Sequence, residues 1–261
     1  MSVATDRIRR SISLTLLALL LPAGAIADAA PAASPRVLVV GATGGTGREV
    51  VQQARAKGFK VRALVRDADK ARTLLGDDVE FVVGDVRTEG TFERAVKGVD
   101  YVVSALGSNS RNDPTNKPEA IDYGAVKSLA AASAAAKVKQ IVLVSSMGVT
   151  DPNAPLNRMF DNILMWKFKG EEAVRGAGVP YTIVRPGGLT NDVGGQRRIK
   201  VMQGDPRGAG GRIARADVAA ICVNALGRRD AERRTMEVVS DEAQGATDWN
   251  AFFAGLAADA R

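Results

Sequence analysis

The chain has 261 residues and a formal net charge of +7, with 46% hydrophobic and 25% charged residues, enough for one large soluble domain that buries its own core without staples. It contains no histidine and a single cysteine, Cys222. This excludes a Ser-His-Asp triad, a Cys-His pair, histidine-ligated zinc or iron, an intramolecular disulfide and a four-cysteine metal site, so no metal is expected and demanding chemistry has to be borrowed from a bound organic cofactor.

Residues 1–27 read as an address. Arg7, Arg9 and Arg10 make a basic start, residues 11–27 carry no charge, and Ala25-Ile26-Ala27 offers a small-x-small cleavage site before Asp28. This is the layout of a bacterial secretory signal peptide. The apolar stretch is interrupted by Pro22 and Gly24 and is short for a membrane span, so no stable span is expected after cleavage; an uncleaved tether is the alternative. The Arg9-Arg10 pair suits a twin-arginine signal as well as a generic basic start. The expected location is therefore periplasmic or exported. Residues 28–35 read as a Pro/Ala linker, and 36–261 as the folded domain.

From residue 36 onward apolar strands alternate with helices. The run 37–40 is wholly apolar and ends in glycine, as in a strand buried on both faces. A helix over 46–57, stopped by Gly58, sets Val50, Val51 and Ala54 on one side and Arg48, Gln52 and Arg55 on another. Next come a strand at 60–65, a helix near 68–75, a strand at 81–83, a helix at 91–97 and a strand at 99–104. The alanine-rich stretch 121–137 is helical by propensity. A strand at 141–145, a helix over 159–175 and a strand at 181–185 follow it, then a helix at 217–226, a strand at 236–239 and a last helix at 248–256. The alternation implies an α/β fold with a doubly wound parallel sheet, Rossmann-like, in one domain with a small C-terminal substrate lobe from about Gly187. Segment 194–215 sets Arg197, Arg198, Lys200, Arg207, Arg212 and Arg215 against Asp205 alone. It reads as a solvated, glycine-rich loop, the alternative being a face for an anionic or protein partner. Aromatic residues at 5% and the lack of a recognised motif argue against nucleic acid.

Between the first strand and first helix stands Gly41-Ala42-Thr43-Gly44-Gly45-Thr46-Gly47. In that setting the glycines permit a tight turn, close backbone approach to a pyrophosphate and close helix–strand packing, and the helix N-terminus offers free N–H groups to phosphate. The second strand ends in Arg66 with no acid inside it, whereas NAD binding favours an acid there and a 2′-phosphate needs an arginine. Asp67 points to the opposite face of an extended chain. Arg66 is thus the expected 2′-phosphate ligand and NADP the expected cofactor over NAD, the alternative being a solvated Arg66 paired with Asp67 or Asp69. Arg62 is expected at the surface.

The stretches VLVVGATGGTGREVV (37–51), EFVVGDV (80–86), IVLVSSMG (141–148) and MWKFKGEEAVRGAGVPYTIVRPGGL (165–189) resemble the atypical branch of the short-chain dehydrogenase/reductase superfamily, in its NmrA-like, NAD(P)-binding subgroup. The resemblance implies that Asp85 and Val86 lie beside the adenine and that Ser104, Ala105 and Leu106 follow a strand beneath the cofactor. It implies that Pro186, Gly187, Gly188 and Leu189 line the nicotinamide pocket. Its ribose-binding lysine, usually followed by a small residue and glutamate, corresponds to Lys169 in Lys169-Gly170-Glu171, with Ser145 as the companion catalytic residue. Each has a plainer alternative: Asp85 capping a turn, Ser145 and Ser146 bonding backbone at a strand end, Lys169 solvated as Lys167 is expected to be. Arg215 and Asp217 are expected to cap a helix.

Conventional members place a proton-donating tyrosine one helical turn before that lysine. Counting back from Lys169 reaches Met165, and from Lys167 reaches Ile163; neither transfers a proton. Tyr123-Gly-Ala-Val-Lys127 spells the motif out of its context, although Tyr123 opens a helix at the ligand-binding edge of the sheet. A positioned general acid is worth roughly 10²–10⁴-fold. The expected function is therefore NADP(H)-dependent hydride transfer to a small redox-active acceptor such as a quinone or flavin. The alternative is a non-catalytic NADP(H)-sensing binding protein. Sugar-nucleotide epimerases share the fold and normally keep the tyrosine.

Overall fold

The apolar runs of the sequence form the middle of one sheet. A computed structural model describes residues 34–110 and 113–260; the expected signal segment 1–27 and most of the expected linker 28–35 lie outside the described residues. The first half runs β1 (Arg36–Val40), α1 (Gly45–Ala56), β2 (Lys60–Val65), α2 (Ala68–Leu75), β3 (Glu80–Val83), α3 (Thr91–Val96) and β4 (Tyr101–Ser104). A π-helical turn, Glu119–Ala125, leads directly into α4 (Val126–Ala135), followed by β5 (Gln140–Val144), α5 (Pro155–Met159), α6 (Ile163–Arg175) and β6 (Tyr181–Pro186). The C-terminal part adds β7 (Gly188–Thr190), β8 (Arg197–Met202), β9 (Arg212–Ala214), α7 (Arg215–Ala225), β10 (Arg234–Gln244) and α8 (Trp249–Ala254).

Among the described residues eight strands form the main sheet in the order β3-β2-β1-β4-β5-β6-β10-β8, parallel except where β8 pairs antiparallel with β10. The fold is the expected Rossmann-like α/β architecture. Because helices cover both faces, the central strands are buried on both sides and read as continuous apolar text. One face packs Val50, Val51 and Ala54 of α1 with Val218, Ile221 and Cys222 of α7; the other packs Phe92 of α3, Leu129 of α4 and Val174 of α6. Each of the valine, leucine, isoleucine and phenylalanine side chains contributes about 1.5–3 kcal/mol when fully buried.

Three expectations need correction. The helix expected over 159–175 starts only at Ile163, as α6; Met159 ends the separate α5, and between them Asp161 and Asn162 take left-handed φ values of 50° and 57°. The expected loop 194–215 holds β8, an edge strand, and β9, which pairs with β7 in a parallel ribbon. Arg62 is buried, not superficial: its guanidinium donates to the carbonyls of Ala95 (2.8 Å) and Lys97 (2.7 Å) and pairs with Glu80 (2.7 Å).

A buried charge cluster joins the second half of the sheet to α6. Arg185 of β6 donates from Nε and Nη2 to the two oxygens of Glu171 of α6 (2.9 and 2.6 Å), and from Nη1 to Glu237 of β10 (2.9 Å). Burial opposes the guanidinium's charge, but the two carboxylates more than offset it and raise its pKa. Arg175, one turn along α6, adds a second contact to Glu171 at 3.0 Å. Arg185→Met leaves a buried carboxylate without its counter-charge and is expected to lower stability by about 3–5 kcal/mol; the midpoint of urea unfolding measures the loss.

Candidate functional site

Strand order reverses at β1, which has β2 on one side and β4 on the other. Connections leaving β1 and β4 therefore diverge and open a crevice at the carboxyl ends of the strands, where ligands bind in sheets of this kind. Gly41 leaves β1 with φ +79°, and a Cβ there would lie 2.6 Å from the Ala105 carbonyl oxygen; a Cβ on Gly47 would overlap the carbonyl of Gly41. Only glycine allows both approaches. The Gly44 N–H donates to Gly41 O at 3.0 Å. α1 begins at Gly45 with no side-chain cap and no acid in its first turn, so its leading N–H groups and dipole are left for an anion.

The crevice has two ends that share Gly44, Ala105, Leu106, Gly107 and Asn109. At the β2 end the lining includes Gly41, Thr43, Arg66, Asp85, Val86 and Arg87. Asp67 does not pair with Arg66. It caps α2 by accepting from the Asp69 and Lys70 N–H groups, both at 3.1 Å, and pairs with Lys70 at 3.4 Å. Arg66 makes no hydrogen bond or ion pair with the described residues and is exposed at the rim. Asp85 is held by Arg87 through bonds of 2.8 and 2.6 Å, and that guanidinium keeps its carboxyl down to about 2. Arg87 also pairs with Asp113 at 3.2 Å and bonds Thr115.

At the other end stand Gly45, Thr46, Ser145, Ser146, Lys167, Pro186, Gly187, Leu189 and Arg215. Ser145 Oγ is buried and has no hydrogen-bond partner among the described residues, so a polar group of a ligand is its natural complement. Lys167 is not the solvated residue its sequence context suggests. Its ammonium lies 2.7 Å from Asp122 Oδ1, with the lysine side chain 15% exposed and the aspartate side chain fully buried. The other Asp122 oxygen accepts from the Ser108 N–H at 3.2 Å. Lys169 lies elsewhere, over the Trp166 ring at 4.3 Å, and Trp166 stacks on Tyr123 at 5.9 Å. Of the two lysines, Lys167 is the one that lines the crevice, and the residue one turn before it is Ile163. Gly47 and Ser104 are buried outside the lining, and Gly188 is exposed on β7.

Asp122, Arg87, Lys167 and Arg215 were missed as site residues. Asp122 was legible as the buried-side acid in an otherwise alanine-rich helix; Arg87 and Arg215 carried no local signal. Neither Arg215 nor Asp217 caps α7. The position before that helix is Ala214, without a side-chain bond. Asp217 instead accepts from the Gly195 N–H at 2.7 Å, and burial raises its pKa.

A family model described as NAD(P)H-binding matches residues 41–229. The chain belongs to that family. Within it, it is an atypical short-chain dehydrogenase/reductase of the NmrA-like kind. It is 34% identical to sanguinarine reductase of Eschscholzia californica, over 78% of this chain and 88% of that protein. It is 38% identical to an uncharacterized chloroplastic protein of Arabidopsis thaliana, over 78% of this chain and 69% of that one. Among solved structures, a putative NAD-dependent epimerase/dehydratase from Bacillus halodurans matches with a TM-score of 0.73 and 27% identity, over 81% of this chain and 96% of that one.

These relatives overturn the expected periplasmic location. Those from Arabidopsis, pea and rice, at 32–38% identity, are chloroplastic proteins, not periplasmic ones. Export signals and plastid transit segments share a basic, acid-poor start, so the layout of residues 1–27 does not by itself decide between them.

The donor set fits a nicotinamide dinucleotide: a glycine cradle at a helix N-terminus, a free arginine beyond β2 and an unpartnered buried hydroxyl at the far end. Gly47→Ala is expected to cost about 1–3 kcal/mol by overpacking and to abolish nucleotide binding. Thermal melting and calorimetric titration with NADPH check both.

Proposed function

We propose that the protein is an NADP(H)-dependent reductase acting on a small redox-active acceptor such as a quinone or flavin. The observation that carries this reading is the lack of an acidic hydroxyl at the β5–β6 end of the crevice. The chain has three tyrosines and no histidine. Tyr123 is stacked on Trp166, Tyr181 donates to Asp259 at 3.0 Å, and Tyr101 packs on Phe59; none lines the crevice. Reducing a simple ketone produces a strongly basic alkoxide and benefits from a positioned acid by roughly 10²–10⁴-fold. Acceptors whose reduced forms are weakly basic have less need of one. A bound nicotinamide supplies the hydride.

Lys167, held by Asp122, is positioned to bond the ribose and present positive charge to an acceptor that gains electrons. Ser145 offers a hydroxyl beside it, Pro186 and Leu189 exclude water, and the N–H groups of α1 take the diphosphate. The choice of NADP is supported by Arg66, left free because Asp67 caps a helix. Similarity to a protein named for its reductase activity on a small molecule supports the enzymatic reading. The second reading, a non-catalytic NADP(H) sensor, is favoured by β8, whose Arg197, Arg198 and Lys200 are exposed on the sheet edge.

Mixing the protein with NADPH and a quinone and flavin panel is expected to give nucleotide oxidation above the free-solution rate. Lys167→Met is expected to lower that rate by about 10²-fold or more through loss of positive charge beside the acceptor, while Lys169→Met leaves it within about twofold. Tight NADPH binding with no oxidation for any acceptor would establish the sensor instead.

The same assignment fixes a pH dependence. Asp85 stays ionised down to about 2 and arginine does not titrate, but a phosphate monoester takes up its second proton near about pH 6. Affinity for NADP is therefore expected to fall, by up to about tenfold, between pH 7.5 and 5, while affinity for NAD stays level. Calorimetry with both nucleotides across that range provides the comparison.

A further inference from the structure

We propose that Arg215, supplied by the C-terminal lobe, grips the cofactor's diphosphate over the glycine turn and thereby fastens that lobe to the nucleotide. The inference rests on the nucleotide-binding reading above and extends it to a residue outside the glycine turn.

Four observations converge on this side chain. α7 starts at Arg215, and Gln53 of α1 donates to the Ala216 carbonyl at 2.9 Å, which seats the start of α7 against α1. A Cβ placed on Gly45 would lie 2.7 Å from Arg215 Cδ and 2.8 Å from its Nε, so the arginine stem rests on the first residue of α1, and a larger residue there would displace it. The guanidinium donates to Asn191 Oδ1 at 2.8 Å and pairs with no carboxylate among the described residues. It also lines the crevice together with Gly44, Gly45 and Thr46.

This arrangement sets like beside like. The N-terminus of α1 carries the positive end of the helix dipole and has no acid in its first turn. A cation held there, with a neutral amide as its partner, is electrostatically unfavourable until an anion joins it. A diphosphate satisfies both: it accepts from the N–H groups of α1 and from the planar guanidinium, whose charge-assisted bonds are the strong ones. Asn191 and Arg215 immediately follow β7 and β9, the two strands of the small ribbon. Binding at Arg215 therefore ties the carboxyl ends of that ribbon to the cofactor.

The test separates the two anionic groups of the nucleotide. Arg215→Ala is expected to weaken NADPH and NADH alike, by about ten- to hundredfold, and to leave binding of adenosine 2′-monophosphate unchanged. Arg66→Ala is expected to weaken NADPH and adenosine 2′-monophosphate and to spare NADH. Arg215→Lys, which keeps the charge and loses the fork, should fall between wild type and Arg215→Ala. Melting without nucleotide confirms that each variant folds. Unchanged NADPH and NADH affinity in folded Arg215→Ala overturns the inference, as does an equal loss for adenosine 2′-monophosphate, which would mark a distorted crevice. Wild-type protein that binds neither dinucleotide overturns the nucleotide reading itself, and this inference with it.

Discussion

The bidentate grip of Arg185 on Glu171, completed by Glu237, decides where α6 lies. Three ions that would each be costly to bury alone are buried together, and they belong to β6, α6 and β10. One residue before Glu171 on α6, Gly170 lets the helix backbone approach the Asp122 carbonyl of the π-helical turn so closely that a Cβ would overlap it. Lys167 then meets the buried Asp122 carboxylate, and its ammonium stays at the crevice. The position of the lysine is thus set by charges packed behind it, with the helix acting as the rigid link.

The parts of this fold that the sequence made legible are those governed by local rules. β2 and α2 fall within the residues their text indicates, because a buried parallel strand is a short apolar run and Asp67 is a good helix cap. The glycine turn was legible because its order, after a buried strand and before a helix, has one geometric use. The rest depended on contacts between distant residues. β8 reads as loop because an edge strand carries Arg and Lys where a central strand would carry valine. The break between α5 and α6 depends on two non-glycine residues in the left-handed region, which nothing in their spelling demands. Arg62 looks like any surface arginine until Ala95, Lys97 and Glu80 are brought to it.

The site follows the same division. Glycines 41, 44 and 45 with Thr43, Thr46 and Arg66, indicated by motif and order, and Asp85 and Val86, implied by the family resemblance, line the crevice. Lys-Gly-Glu at 169–171 matches a family spelling, whereas which of Lys167 and Lys169 faces the crevice is a question of helix phase. Two residues are about 200° apart on a helix, so the lysine that faces Asp122 forces the other outward onto Trp166. A crevice built this way has strong cationic groups at several points along its length, and no tyrosine or histidine lines it. That composition suits binding a polyanionic cofactor and steadying negative charge, and it is poorly suited to donating a proton.

Cys222 lies in the middle of α7, wholly enclosed, with its thiol pushed up to about 12 by burial. In the closed fold it is neither a nucleophile nor an oxidant's target. A thiol reagent can reach it only when α7 lifts away from α1 and the sheet. Since α7 also presents Arg215, the pace at which that lone sulfur is alkylated becomes a clock for the detachment of α7 from the sheet, built into the chain without any added label.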